Sequence, residues 1–351
     1  MLNMRIVRAP LSDQENSVIL SEYNRLTGGR IPLEEFKRWV TESPEGPAWH
    51  AILQTDEGRI VGHTSVFPLR AGASASGIVP GKSEYSFLHE DFRKEKIRGH
   101  ETVGRPAFIT LLDKLFQHCH EQGWSPIFAS TNEKNQIFTR KVGLRPLEFP
   151  LWECLLVLRP LRAAKDTPNL TRAQRAVLFS AGLVHGTVWP PMASLLSSSK
   201  ATNRVEVHSN GMKPSDQPLS FFEDQPSLEW RYISGQYVRL GMASSPSNYV
   251  IAKHGSSDRF LRVCQWHLES GTNLQSVLAF LVNEARRERS LGVRWAVYDQ
   301  GVSEARLVSG IRRLGFLCVR RTRIVMVHKN NDKYLDQSLW RMNDSLLSFD
   351  P

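Results

Sequence analysis

The segment Ser83-Glu-Tyr-Ser-Phe-Leu-His-Glu-Asp-Phe-Arg93 carries a carboxylate, a phenol and an imidazole on what reads as one strand leaving an apolar core. These groups are the common means of moving protons between a nucleophile and a leaving group. Period-two alternation predicts Glu84, Ser86, Leu88 and Glu90 on one face, with Tyr85, Phe87 and His89 on the other. Glu84 is the first candidate for a general base, because burial raises a mid-strand carboxylate toward a useful pKa. Its competing role is that of a charge partner for Lys82 or Arg93. His89 is the alternative base, or else a hydrogen-bonded core residue, and Tyr85 is the candidate acid.

A different chemistry follows directly in the chain. Arg93-Lys-Glu-Lys-Ile-Arg98 concentrates positive charge, and Gly104-Arg-Pro-Ala-Phe108 opens an amphipathic helix with Phe108, Leu111, Leu112, Leu115, Phe116 and Cys119 along one face. Unpaired N–H groups and the positive end of the dipole make such a helix start a place for an anion. The other basic clusters, Arg286 to Arg289 and Arg320 to Arg323, read as solvated faces. His118 and His120 stand at i and i+2 on the helix and point to different faces, so no metal site is expected there. Ser130-Thr-Asn132 lacks the G-x-S-x-G context of a nucleophile elbow, and Asn132 reads as a helix cap.

The elements that hold these residues occur twice. The helix of Phe108 to Cys119 ends at Gly123, the strand Ser125 to Ser130 follows, and a short helix closes on Arg140-Lys-Val-Gly-Leu144. In the second half a helix of Leu274 to Ala285 ends at Gly292, the strand Val293 to Tyr298 follows, and a helix closes on Arg312-Arg-Leu-Gly-Phe316. Trp39 and Trp230, Gly123 and Gly292, and Gly143 and Gly315 are 191, 169 and 172 residues apart, an ordered repeat that predicts a duplicated unit. The expected division is residues 1–160, a connector at 161–225, and residues 226–351.

With 351 residues and 41% hydrophobic content the chain can bury two cores. Four scattered cysteines, Cys119, Cys154, Cys264 and Cys318, are expected as reduced buried thiols of a cytoplasmic protein. Met1 to Val7 reads as a first strand without the apolar run of a signal peptide. Residues 176–199 hold no Asp, Glu, Lys or Arg, yet two glycines, Pro190-Pro191 and a serine run argue for a packed linker helix broken at the prolines, not a membrane span. The net charge of +10 is spread over both halves without zinc-finger, RNP-like or KH-type patterns, which argues against sequence-specific nucleic-acid binding.

Leu88-His-Glu-Asp-Phe-Arg93 resembles the end of the fourth strand in the GNAT acetyltransferase superfamily, with Glu90 where proline is usual. Gly104-Arg-Pro-Ala-Phe108 resembles the end of that family's pyrophosphate loop, and Asn132 through Lys141-Val-Gly-Leu144 resembles its later Asn and Lys-x-Gly-Phe motif. The departures are an insertion between Arg93 and Gly104, Pro106 in place of a glycine that offers an N–H, and Thr139 at the position of a frequent general-acid tyrosine.

The resemblance implies an α/β (mixed α+β) fold of two tandem GNAT-like domains, each a mixed, mostly antiparallel sheet flanked by helices, with the second domain degenerate. Ser270-Gly-Thr-Asn273 is too short for a second pyrophosphate cradle. The resemblance further implies acetyl-CoA or another acyl-CoA as co-substrate, bound through Leu88, Arg93, Gly104, Arg105, Ala107, Phe108 and Asn132, with the Leu88 N–H as oxyanion contact. The implied activity is N-acyl transfer (EC 2.3.1) to an amine of a small molecule, a sugar or a polysaccharide precursor. The alternatives are a Fem-type aminoacyl transferase using charged tRNA, and a non-catalytic binding module.

Overall fold

The computed structural model describes residues 1–342 apart from 29–30, 73–76, 100–105, 131–135, 137–138, 167–170, 198–218, 223, 233–236, 243–244, 255–258 and 270–271. In chain order the elements are β1 (Asn3–Arg8), α1 (Asp13–Thr27), α2 (Leu33–Thr41), β2 (Trp49–Gln54), β3 (Ile60–Pro68), β4 (Val79–Leu88), α3 (Ala107–Glu121), β5 (Trp124–Ser130) and β6 (Leu144–Val157). Then come α4 (Pro160–Asp166), α5 (Arg172–Ser197), α6 (Gln225–Tyr232), β7 (Tyr237–Met242), β8 (Ser245–His254), β9 (Leu261–His267), α7 (Leu274–Arg287), β10 (Gly292–Tyr298), α8 (Val302–Arg313) and β11 (Leu317–His328).

Period-two apolar patterning makes the strands, and all eleven join one mixed sheet in the order β1-β2-β3-β4-β5-β11-β6-β10-β9-β8-β7. The expectation of one sheet per domain is corrected by this order. The last strand of each half pairs with the other half: β5 takes β11 beside it, and β10 takes β6. β6 and β11 pair with each other from Leu144↔His328 to Leu155↔Leu317. Pro150 lies opposite Thr322, a separation of 172 residues that also separates Gly143 from Gly315, so the seam reads alike from both directions. Gly292 is required at this junction, since a Cβ there would stand 1.9 Å from the Leu156 carbonyl oxygen.

One face of the sheet is covered by α1, α2 and α6, whose Tyr23, Phe36, Trp39, Trp230 and Tyr232 share a continuous core with Phe67, Phe128, Phe149, Tyr249 and Trp340. On the opposite face α3 packs over β2, β3 and β5, while α7 and α8 cover the second half. Two corrections concern single residues. Cys154 and Cys318 are cross-strand partners in the seam, with Cα atoms 4.1 Å apart, and form a disulfide instead of free thiols. Helix α5 runs through Pro190-Pro191 without the expected break and packs against α7. Among the described residues no helix is long and apolar enough to cross a membrane.

Candidate functional site

β4 pairs with β3 as far as Leu88, but its parallel pairing with β5 stops at Ser83↔Ala129. From Glu84 to Leu88 the two strands diverge and leave a fork. A bulge drives the divergence: Ser65 lies opposite Glu84 and His63 opposite Phe87, so Tyr85 and Ser86 together face Thr64. Tyr85 takes a left-handed φ of 52°, a conformation that a non-glycine residue adopts at a cost and only when its surroundings impose it.

Those surroundings are named groups. The Tyr85 ring is held edge-on by Tyr23, Phe36 and Phe67. Its carbonyl accepts from His63 Nδ1 at 2.8 Å, which leaves His63 Nε2 to accept from His50 Nδ1 at 2.9 Å. Burial pushes His63 down to about 4 and His50 well below its ordinary value, so both imidazoles are neutral at neutral pH.

The bulge also overturns the predicted alternation. Glu84 and Tyr85 share the face covered by α1 and α2, whereas Ser86, bonded to Thr64 Oγ1 at 2.7 Å, lies on the α3 face. A bulge adds one residue and shifts every later side chain to the other face, a shift that period-two counting does not contain. Glu84 forms an ion pair with Lys82, whose side chain is fully buried. His89 begins a 3₁₀ turn (Glu90–Phe92), and its Nδ1 lies 3.2 Å from Asp91 Oδ2. The His89 N–H donates to the Val61 carbonyl across β3, so strand alternation turns the Leu88 N–H the other way, into the fork.

At the mouth of the fork α3 begins at Ala107, with Pro106 as its N-cap and no side chain capping it. Ala107 is buried and Phe108 half-buried. Arg93 is exposed, and Arg98, counted in the basic cluster, is turned instead to Asp56 at 2.9 Å. Gly104, Arg105 and Asn132 lie outside the described residues. Thr139 donates its hydroxyl to the Gln136 carbonyl.

The second half repeats the fork without the open helix end. β9 pairs with β10 only from Leu261 to Val263, a bulge falls at Cys264, and β9 runs on to His267. There, however, Asn273 caps α7 by accepting from the Gln275 and Ser276 N–H groups. Those amides are taken by a side chain, whereas α3 has no side-chain cap and its Ile109 N–H turns back to the Pro106 carbonyl at 3.0 Å.

A polar group that sequence reading missed lies between the halves. Arg231 of α6 is buried, rests 5.3 Å from the Trp39 ring and donates to Tyr237 Oη at 2.9 Å. Lys253 of β8 is 5% exposed and stands 5.1 Å from the Tyr237 ring. Burial, followed by repulsion from Arg231, pushes its ammonium down to about 8, which leaves it mostly charged at pH 7. The available signal was a lone lysine in the apolar run Tyr249-Val-Ile-Ala-Lys253 and an arginine between Trp230 and Tyr232. Among the described residues no group of three His, Cys, Asp or Glu is placed to hold a metal.

No family model matches the chain. No curated protein matches it by sequence. Solved structures do. A probable N-acyltransferase of unknown function from Enterococcus faecalis matches with a TM-score of 0.56 at 10% identity, over 92% of this chain and 71% of that one. A putative acetyltransferase from Pyrococcus horikoshii matches at 0.49 and 12% identity, over 98% and 94%. A GCN5-related N-acetyltransferase from Kribbella flavida matches at 0.46 and 10% identity, over 92% and 70%. At such identities the likeness is one of fold: the chain shares the architecture of the Enterococcus faecalis structure over most of its length.

Proposed function

We propose that the chain is an acyl-CoA-dependent N-acyltransferase whose donor lies in the β4/β5 fork of the first half. The observation that carries this reading is the fork itself, with the Leu88 N–H turned into it and an uncapped helix start at its mouth. An extended amide-bearing arm suits an unpaired strand edge, and a pyrophosphate suits the first N–H groups of α3. Acyl-coenzyme A, when bound, would supply a thioester carbonyl activated toward amines.

The residues divide the work as follows. The Leu88 N–H stabilises the negative charge that grows on the carbonyl oxygen. His89 Nε2 takes the proton from the attacking amine, and the Asp91 carboxylate, 3.2 Å from Nδ1, stabilises the imidazolium that forms. The new bond is N–C(acyl), the broken one is C–S, and the departing sulfur regains a proton from water, since the Tyr85 ring is packed into the core among Tyr23, Phe36 and Phe67. His89 is placed ahead of Glu84 for two reasons. Glu84 already neutralises a buried ammonium, and four strand residues set it roughly 13 Å from the Leu88 N–H.

Calorimetry with acetyl-CoA, longer acyl-CoAs and free coenzyme A is the direct test. Saturable binding at one site per chain is expected, and Arg105→Glu, one residue before the Pro106 cap, should weaken it by about 1–3 kcal/mol. Unchanged affinity in that variant places the ligand elsewhere. In steady-state assays of thiol release, His89→Gln should lower kcat about 100-fold with little change in acyl-CoA affinity. Glu84→Gln alone strips Lys82 of this charge partner, so the comparison to make is Lys82→Met with Glu84→Gln, expected within a few-fold of the parent. A double variant as inactive as His89→Gln returns the base to Glu84.

A further inference from the structure

The contacts of α5 fix which of its faces is inner and which outer. Thr171 and Gln174 open the helix as a reciprocal capping pair, the Thr171 N–H donating to Gln174 Oε1 at 2.9 Å and the Gln174 N–H to Thr171 Oγ1 at 3.2 Å. Gly182 and His185 hold the inner face: a Cβ at Gly182 would stand 2.5 Å from Pro160 Cβ, and His185 Nδ1 accepts the Val157 N–H at 3.2 Å. Val177, Val184 and Val188 stand at i, i+7 and i+11, one row of the helix turned away from both. With Leu183 beside them they are 46–60% exposed, and Leu161 of α4, which packs on α5, is 75% exposed. Half of the large apolar side chains exposed among the described residues lie on these two helices. The Thr187 hydroxyl turns back to the Leu183 and Val184 carbonyls, at 3.0 Å each, and adds no free polar group to the row.

Charge decides what such a face can meet. Between Cys154 and Ser197 the sequence holds Arg159, Arg162, Lys165, Arg172 and Arg175 against Asp166 as its one carboxylate. Asp166 can neutralise one of them, and α5 itself carries no carboxylate from end to end. Lys165, Arg172 and Arg175 are exposed. A second copy of the chain would bring the same cations to the contact and no carboxylate to pair them. Residues 198–218, which follow α5, have Val205, Val207 and Met212 as their large apolar residues, too few to cover the row. An anionic lipid surface suits both features, since it takes aliphatic side chains below its headgroups and cations among its phosphates. No described helix is long and apolar enough to cross a membrane, so the contact is made in the plane of the surface. We infer that α4 and α5 form a docking face for an anionic lipid surface, with Val177, Val184 and Val188 turned into it.

The test uses the full chain and vesicles of phosphatidylcholine, either alone or with about 30 mol% phosphatidylglycerol. In sedimentation assays the anionic vesicles should bind the protein about 10-fold more tightly than the neutral ones, and raising NaCl from about 0.1 to about 0.5 M should weaken that binding by a similar factor. Val177→Gln combined with Val184→Gln should weaken it about 10-fold at low salt. Glutamine forms helix better than valine and both sites are exposed, so the Tm of the variant should not fall. Absence of binding to the anionic vesicles, or equal binding by parent and variant, overturns the docking face. A lower Tm in the variant overturns it as well, because it reports that the chain's own residues cover the row. Light scattering after size-exclusion chromatography supplies the last arm: a parent dimer that the variant dissolves puts a second copy on the face in place of lipid.

Discussion

A chain ending at Arg313, and so lacking β11, is expected not to fold in either half. β11 is not a terminal decoration: it fills the centre of the sheet between β5 and β6. Its removal exposes the edges of both neighbours and uncovers Phe128, Phe149 and Leu151 in the core beneath them. An open, flat apolar edge of that kind aggregates. The same reasoning applies to residues 1–166 expressed alone, whose β6 pairs with β10 and not with β5. Circular dichroism and size-exclusion chromatography should show aggregation or self-association for each piece, and recovery of a compact species when 1–166 is co-expressed with 167–351. A monomeric, cooperatively unfolding 1–166 would contradict the exchange.

Acid should destabilise the protein before any carboxylate titrates fully. Both His63 and His328 are pushed down to about 4, each chiefly by burial, and His50 is lowered well below its ordinary value. A histidine whose folded pKa is depressed contributes stability that is complete above its unfolded value near 6.5 and is lost as pH falls toward the folded value. For His63 alone the loss is about 2 kcal/mol at pH 5 and approaches about 3 kcal/mol near pH 4. His50 and His328 act in the same direction. Between pH 7 and pH 5 the Tm should fall by several degrees, on the scale of about 2–4 °C per kcal/mol for large domains. His63→Gln keeps a donor for the Tyr85 carbonyl but does not titrate, so its Tm should fall less over that interval. Parallel curves for parent and variant would remove His63 from the account.

Much of the local structure was legible in the sequence because it rests on short-range rules. The heptad-like spacing of Phe108, Leu112 and Leu115 and the turn at Gly123, where φ is 83°, lead directly to α3 and β5. Ser12 and Glu15 form the capping box that opens α1, a four-residue rule that the reading of the sequence above passed over. What was not legible depends on choices between equivalent long-range partners. β6 and β11 are both alternating strands that follow a glycine stop, and nothing in either spells out whether β5 receives its own half's strand or the other's. The bulge at Tyr85 is fixed by the rings of Tyr23, Phe36 and Phe67 and by His63, all remote in sequence, so alternation failed there and misassigned the faces of β4. Arg231 and Lys253 converge on Tyr237 from two elements, and each by itself reads as an ordinary charged residue.

The central position of β11 also sets a schedule. A ribosome makes β5 and β6 first, and the strand that must lie between them is complete only at His328, 171 residues after β6 ends at Val157. At roughly 5–20 residues per second that interval is on the order of 10–40 s. Throughout it the first half waits with an unpaired interior edge, and the Cys154 thiol waits for Cys318. Vectorial, domain-by-domain folding is therefore closed to this chain, and native structure in the first half waits for β11.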